Sequence, residues 1–397
     1  MKQLRTFFYK IIFVLILLSY NGISQSNAQS IDSSIDSVEF SLLTCSPGNE
    51  VYSIYGHTAI RYLDKSRNED WTFNYGIFNF KQPFFVGRFL FGLTDYELGV
   101  LPYSIFKKEY GKHNRQVVEQ VLNLTSEEKQ RLYHALINNY APENRVYRYN
   151  FLYCNCTTKA RDIIESCING DIQYTDTNAE KQTYRQMLHE YTIGLPWHEY
   201  GNDICMGLIA DMPIDSRQQQ FLPLRLQYDF NRAQIYLNGR YRPLVKSQQV
   251  VVEAGIQIIT SEFPLSPLSS SLILLGVSTL IALIEFRSKR IFKFWDVILT
   301  TITGICGIIL ALLFISQHPT TSSNLQILVL NPINLFFIIK IIKGKQTIYW
   351  KLSALLTIIF LIGSIIQDYA EGMFFVALSL LIRNWINLKI SPNTTKR

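Results

Sequence analysis

Charge is scarce in this sequence: Asp, Glu, Lys and Arg make up 17% of 397 residues, against 48% hydrophobic ones. No internal repeat or low-complexity tract is visible, so neither a repeat array nor a biased linker organises the chain. No glycine-rich phosphate loop and no acidic metal cluster appears. Histidine is rare, six in all, and none is paired near the cysteines. The C-x-C and C-x10-C spacings match no common zinc pattern, so no metal and no cofactor is expected. No cysteine follows the first apolar run, so the chain does not read as lipid-anchored through its own N-terminus.

What is plentiful is apolar sequence, unevenly placed. The N-terminus has a basic start (Lys2, Arg5, Lys10), a short apolar core from Ile11 to Leu18 and small residues up to Ala28. That pattern predicts a secretory signal over 1–28, with an uncleaved anchor as the alternative. After Pro264 come five apolar segments, about Ser269–Ile284, Phe294–Ile315, Leu325–Ile342, Leu352–Ile366 and Met373–Leu388. They predict a helical membrane domain over 261–397. Its loops alternate. "EFRSKRIFKF" and "KIIKGKQTIYWK" are basic, whereas "SQHPTTSSN" and "QDYAEG" hold no Lys or Arg. Basic loops stay in the cytoplasm. The C-terminus is therefore expected inside the inner membrane, and the segment 29–260 outside it, in the periplasm. Of 38 basic and 31 acidic residues, 12 and five lie at or after Ser261, leaving 26 of each before it. The formal +7 thus belongs to the membrane part and argues for no nucleic-acid partner.

Within 29–260, the stretch "YNFLYCNCTTKARDIIESC" spans Tyr149 to Cys167. Ala160, Ile163, Ile164, Cys167 and Ile168 fall on one helical face. Asn155 or Thr157 is a candidate N-cap, and Cys156 then sits at the helix start. There the helix dipole and free N–H groups favour a thiolate. Cys154 precedes the cap on "YRYNFLYC", which reads as a strand. Five of the six cysteines lie before the spans, so at least one is unpaired, and a structural disulfide through Cys154 or Cys156 is an open alternative. For a base, His57 lies in "VYSIYGHTAIRYLD", whose alternation from Tyr55 to Tyr62 reads as a strand. "DWTFNYGIFNF" follows a polar turn and can pair with it. Asn74 or Tyr75 would then come near His57 and orient its imidazole. A strand histidine facing a helix-start cysteine is the layout of thiol acyl chemistry. A hydrogen-bonded, half-buried histidine is the blander reading.

Histidine precedes cysteine here, the reverse of papain. That order resembles the circularly permuted NlpC/P60 superfamily and the lecithin:retinol acyltransferase-like enzymes, whose nucleophile also follows an asparagine. "YGHTAIRY", "FNYGIFNF", "LTSEE", "PENRVYRYNFLYCNCTTKARD" and "FLPLRL", followed by spans, together resemble the Lnb family of lipoprotein N-acyltransferases of Bacteroidota. The resemblance implies an α+β, papain-like exported domain followed by an all-α bundle of about five transmembrane helices. It implies Cys156 as nucleophile and His57 as base, with Cys154 replaceable. No third catalytic residue carries over, and Asn74 is the candidate. Tyr55, Arg61, Tyr75 and Asn155 are the candidate substrate-binding residues. The implied partners are a membrane phospholipid as acyl donor and a diacylated lipoprotein as acceptor. The alternatives are a membrane-anchored cell-wall peptidase or amidase, and a non-catalytic, disulfide-stapled envelope assembly protein.

Further along, Trp197, Phe221 and Leu222 either line an acyl groove or, as we expect, pack. Asn238-Gly239 in "IYLNGRYRPLV" signals a hairpin. Asn331, Pro332 and Asn334 interrupt an apolar segment, as a functional polar site or as a kink with a satisfied amide.

Overall fold

A computed structural model describes residues 35–78, 83–174, 181–256, 263–344 and 347–390. The proposed signal over 1–28 and the boundary at 260–261 lie outside the described residues. In chain order the first half comprises β1 (Val38–Cys45), β2 (His57–Asp64), β3 (Glu69–Ile77), α1 (Phe85–Leu90), β4 (Asp95–Pro102), α2 (Tyr103–Lys112), β5 (Val117–Leu122), α3 (Ser126–Tyr140), β6 (Val146–Arg148) and α4 (Cys156–Ser166). Then follow β7 (Asp171–Gln173), α5 (Tyr184–Thr192), α6 (Pro196–Cys205), α7 (Ser216–Gln219), α8 (Pro223–Arg232), β8 (Gln234–Leu237), β9 (Arg240–Pro243) and β10 (Val245–Val252). The helical region comprises α9 (Pro267–Ser288), α10 (Lys293–Phe314), α11 (Ile333–Lys343), α12 (Thr347–Gly363) and α13 (Met373–Ile390).

Seven strands form an antiparallel sheet in the order β10-β5-β1-β2-β3-β4-β6. Alternation along β1 builds two cores, because successive side chains leave opposite faces. Val38, Phe40 and Leu42 meet Leu132 and Leu136 of α3, Ala160 and Ile164 of α4, and Leu226 and Phe230 of α8. Leu43 and Cys45 meet Tyr103 and Phe106 of α2. The predicted β2–β3 hairpin forms, with Ile60 opposite Phe73. So does the Asn238-Gly239 hairpin, as β8–β9 of a small second sheet.

Two strand readings need correction. β2 begins at His57, not at Tyr55, because Gly56 sits at φ +81° and breaks the extended run. A Cβ at Gly56 would lie 2.7 Å from the Cys45 carbonyl oxygen, so the close approach there demands glycine. The segment before Cys156 is a three-residue strand followed by a turn, in which Asn150 and Cys154 exchange backbone hydrogen bonds.

Among the described residues, four helical stretches of the C-terminal region are long and apolar enough to cross a membrane, and α12 is a shorter apolar helix of 17 residues. The segment expected over Leu325–Ile342 is broken into a 3-10 turn (Leu325–Leu328) and α11. At the break the Asn334 amide is satisfied: it donates to Thr303 Oγ1 (2.9 Å) and accepts from the Tyr349 hydroxyl (3.3 Å). The satisfied-amide reading therefore holds. Arg383 of α13 is buried against Glu285 of α9 and Asp296 of α10, with Nε 2.7 Å from Asp296 Oδ1. Charges within apolar helices are costly unless they pair and face the bundle interior, as these do.

The two regions meet through hydrogen bonds. The end of α6 leaves carbonyls without helical partners. Gln326 Nε2 donates to Asp203 O (2.8 Å), Asn324 Nδ2 to Ile204 O (2.7 Å) and Gln367 Nε2 to Met206 O (3.2 Å). Gly207 N–H in turn donates to Thr320 O (2.7 Å).

Candidate active site

The stretch around Cys156 folds locally through Asn155, the N-cap of α4. Its Oδ1 accepts from the N–H groups of Thr157 (2.8 Å) and Thr158 (2.9 Å). Thr158 Oγ1 returns the favour to the Asn155 N–H (2.9 Å), completing a reciprocal cap. Asn155 Nδ2 donates to the carbonyls of Phe151 (2.8 Å) and Phe221 (2.9 Å). Every polar atom of this amide is committed, so the residue expected to bind substrate instead fixes the helix start.

Cys156 is the first residue of α4 and His57 the first of β2, so the two meet at one end of the sheet. Between them the buried hydroxyls of Thr58 and Thr157 lie 3.1 Å apart. Gly76, at φ +95° in an irregular stretch of β3, opens the third side: a Cβ there would be 3.7 Å from the Cys156 Cβ. Burial pushes the Cys156 thiol up. The charge and hydrogen bond of His57, the Thr58 N–H and the Thr157 hydroxyl outweigh it and bring the thiol down to about 7. A thiol there is substantially a thiolate at neutral pH.

The His57 tautomer follows from its second neighbour. Asn74 Nδ2 donates to Thr72 O (3.3 Å), which leaves Oδ1 facing His57 Nε2 at 3.3 Å. An amide oxygen only accepts, so Nε2 carries the proton and Nδ1 is the nitrogen left for the thiol. The structure thus brings together Cys156, His57 and Asn74.

The other expected residues are placed differently. Arg61 is held by Asp70 (2.8 Å) and Glu119 (2.9 Å) and lies 3.7 Å over the Tyr103 ring, contacts that tie β2 to its neighbours. Tyr55 accepts from Asn202 Nδ2 (2.6 Å) and packs on Phe151 and Tyr191. Tyr75 is buried edge-on against Tyr147. Phe221 and Leu222 are core, and Trp197 Nε1 donates to Leu265 O (2.7 Å) on the membrane side, so packing is the role of all three.

Burial raises the Cys154 thiol, Lys159 offsets it in part, and the Asp162 carboxylate adds to it. Cys45 lies opposite His57 in the strand register and is pushed up to about 12 by burial. All six cysteines are unpaired. The helix-start N–H groups are partly taken, because Asn155 Oδ1 accepts from those of Thr157 and Thr158.

One residue was missed by sequence reasoning. Among the described residues the buried Tyr147 hydroxyl has no hydrogen-bond partner, and it would lie 4.0 Å from a Cβ at Gly76, the position that borders Cys156. Burial, followed by the Cys156 charge, pushes its phenol upward, so it stays protonated and able to donate. Its place among the aromatics of the sequence does not signal this; the cue is spatial.

A family model for the Lnb N-terminal periplasmic domain matches residues 25–190, and one for the Lnb transmembrane domain matches residues 258–395. No curated protein and no solved structure gives a significant match.

Proposed function

The chain belongs to the Lnb family, as a membrane protein with a periplasmic domain, and from that premise we propose that it is a lipoprotein N-acyltransferase of the inner membrane. The observation that carries the reading is a Cys156 thiol lowered to about 7 beside His57, in a domain joined to apolar helices.

In the proposed mechanism, His57 Nδ1 takes the Cys156 proton and the thiolate attacks an ester carbonyl of a membrane phospholipid. The C–S bond forms, the C–O bond breaks, and the lysophospholipid alkoxide leaves with the proton held by His57. The free α-amine of a diacylglyceryl-cysteine lipoprotein then attacks the thioester. The C–N bond forms, the C–S bond breaks, and the proton lost by the amine passes through His57 to the thiolate. Electrons and protons balance with no further reagent. Asn74 orients His57, and Asn155 holds Cys156 in place. We assign the signal to 1–28, the periplasmic domain to 29–260 and the spans to 261–397.

The test is the N-terminal acylation state of a reporter lipoprotein, read by mass spectrometry in cells lacking their own N-acyltransferase. Wild type and Cys154→Ser should convert diacyl to triacyl, and Cys156→Ala should not. No conversion by well-expressed wild type would sink the reading and favour a wall peptidase.

A further inference from the structure

The residues that follow Gly76 lead from the thiol to the membrane. Tyr149 lies two residues beyond Tyr147, whose hydroxyl would be 4.0 Å from a Cβ at Gly76, itself 3.7 Å from the Cys156 Cβ. Its ring stacks on Tyr96 at 4.0 Å, and Tyr96 stacks on Phe78 at 5.0 Å. Phe78 stacks on Phe85 at 6.2 Å, and Phe85 on Phe89 at 6.4 Å. Phe89 ends the run against His318, with ring centroids 6.0 Å apart.

His318 belongs to the loop that leaves α10 after Phe314. Two bonds clamp α1 to that loop. His318 Nε2 donates to Phe89 O (2.7 Å), and Gln317 N–H donates to Phe91 O (3.0 Å). α10 is one of the helices long enough to span, so α1 rides at the height where a span leaves the bilayer. On the other side Arg88 ties α1 to the sheet through Asp95 Oδ2 (2.7 Å). The helix is therefore fixed between the site and the membrane.

Its outer face is apolar and bare: Phe84 is 88% and Val86 71% exposed, and Phe89 is half-exposed. Large contiguous apolar surface is rarely left open without a role. Aromatic and aliphatic side chains at this height settle into the boundary of headgroups and acyl chains. An acyl chain also suits the run behind them. It is built of ring faces, and the Arg88 guanidinium of α1 is already paired with Asp95.

We propose that α1 dips into the periplasmic leaflet and that the run Phe89, Phe85, Phe78, Tyr96, Tyr149 is the track along which a phospholipid acyl chain lies to bring its ester to Cys156. This rests on the acyltransferase reading above for the ester's fate, but not for the lipid contact.

The experiment uses the full-length Cys156→Ser chain in phosphatidylethanolamine/phosphatidylglycerol vesicles. A small fraction of the phosphatidylethanolamine carries a diazirine in its acyl chain. After irradiation, adducts are mapped by peptide mass spectrometry. Adducts on peptides holding Phe78, Phe84–Phe89 and Tyr96 are expected. Adducts confined to the spans would overturn the proposal, as would an unlabelled track because a protein partner is its true occupant. Phe84→Asp and Val86→Asp alter exposed side chains and leave the fold intact. Each should lower transfer from vesicle phospholipid at least tenfold while iodoacetamide alkylation of Cys156 is unchanged; wild-type transfer by both would also overturn it. A labelled track in a wild-type chain that transfers nothing would leave the lipid site standing and remove the acyltransferase reading alone.

Discussion

The hydroxyls of Thr58 and Thr157 meet at 3.1 Å, fully buried, across 99 residues of sequence. Thr58 follows His57 and Thr157 follows Cys156, so this contact sets the spacing of His57 and Cys156. Thr157→Val should leave the Thr58 hydroxyl buried and unpaired, at a cost of about 1–3 kcal/mol. Thr58→Val with Thr157→Val should cost less than the two single changes added together. Thermal unfolding in detergent measures the cycle, and strictly additive singles would contradict the coupling.

Alkylation of Cys156 should be half-maximal near pH 7, because the thiolate is the reactive form and the thiol is lowered to about 7. One unit below that, at pH 6, the rate should be about a tenth of its high-pH plateau. In His57→Ala burial is no longer offset, and the midpoint should rise above the ordinary ~8.5 of a free thiol. The midpoint belongs to the Cys–His pair rather than to either group alone. Peptide-resolved iodoacetamide kinetics decides it; an unmoved midpoint in His57→Ala would show that the histidine does not set the thiol.

Asn155→Asp keeps the acceptor for two N–H groups but removes both amide donations, and it sets a carboxylate beside the thiol. The same alkylation assay should show the midpoint moving upward, since a like charge disfavours the thiolate. Asn155→Ala removes the cap altogether, and should cost about 0.5–2 kcal/mol for the cap alone. If Asn155→Asp alkylates with the wild-type profile, the amide is not where the fold places it.

Tyr147→Phe removes the buried hydroxyl that borders the site, one with no partner among the described residues. If that hydroxyl meets the oxyanion of the acyl intermediate, kcat should fall by roughly 10²–10³. Thiol alkylation and thermal stability should not fall with it. Unchanged turnover would reduce Tyr147 to a wall of the pocket.

Arg383→Met would strand Glu285 and Asp296 among apolar helices. The expected loss is about 3–5 kcal/mol, recovered when all three are replaced by apolar residues of similar volume. Thermal unfolding of the purified chain in detergent reads both; a tolerated single change would mean the two acids are neutral there.

Local chemistry made much of this legible in sequence. The polar turn between β2 and β3, the Asn155 cap and the apolar face of α4 are short-range signals, and each appears where its residues predict it. The pairing of His57 with Cys156 was reachable because one helix start and one strand start are scarce features. What depends on register was not legible. Arg61 alternates with core residues like any site residue. Only the placement of β5 against β1 puts Glu119 within reach of it, turning a candidate contact into a buried ion pair. Tyr55 looked like strand until Gly56 took a positive φ. The aromatic run from Tyr149 to Phe89 joins four separate sequence segments, and no periodicity links them.

The carbonyls of Asp203, Ile204 and Met206 have their partners on Gln326, Asn324 and Gln367, beyond the first two apolar helices. The periplasmic part is therefore not a detachable module. Cut free, it would present three bare acceptors where α6 ends, and grafted onto a foreign anchor it would lose the reference surface that sets the height of its thiol. Altitude above the bilayer is thus written into amide side chains of the anchor itself, and a tether of the right length would be no substitute for them.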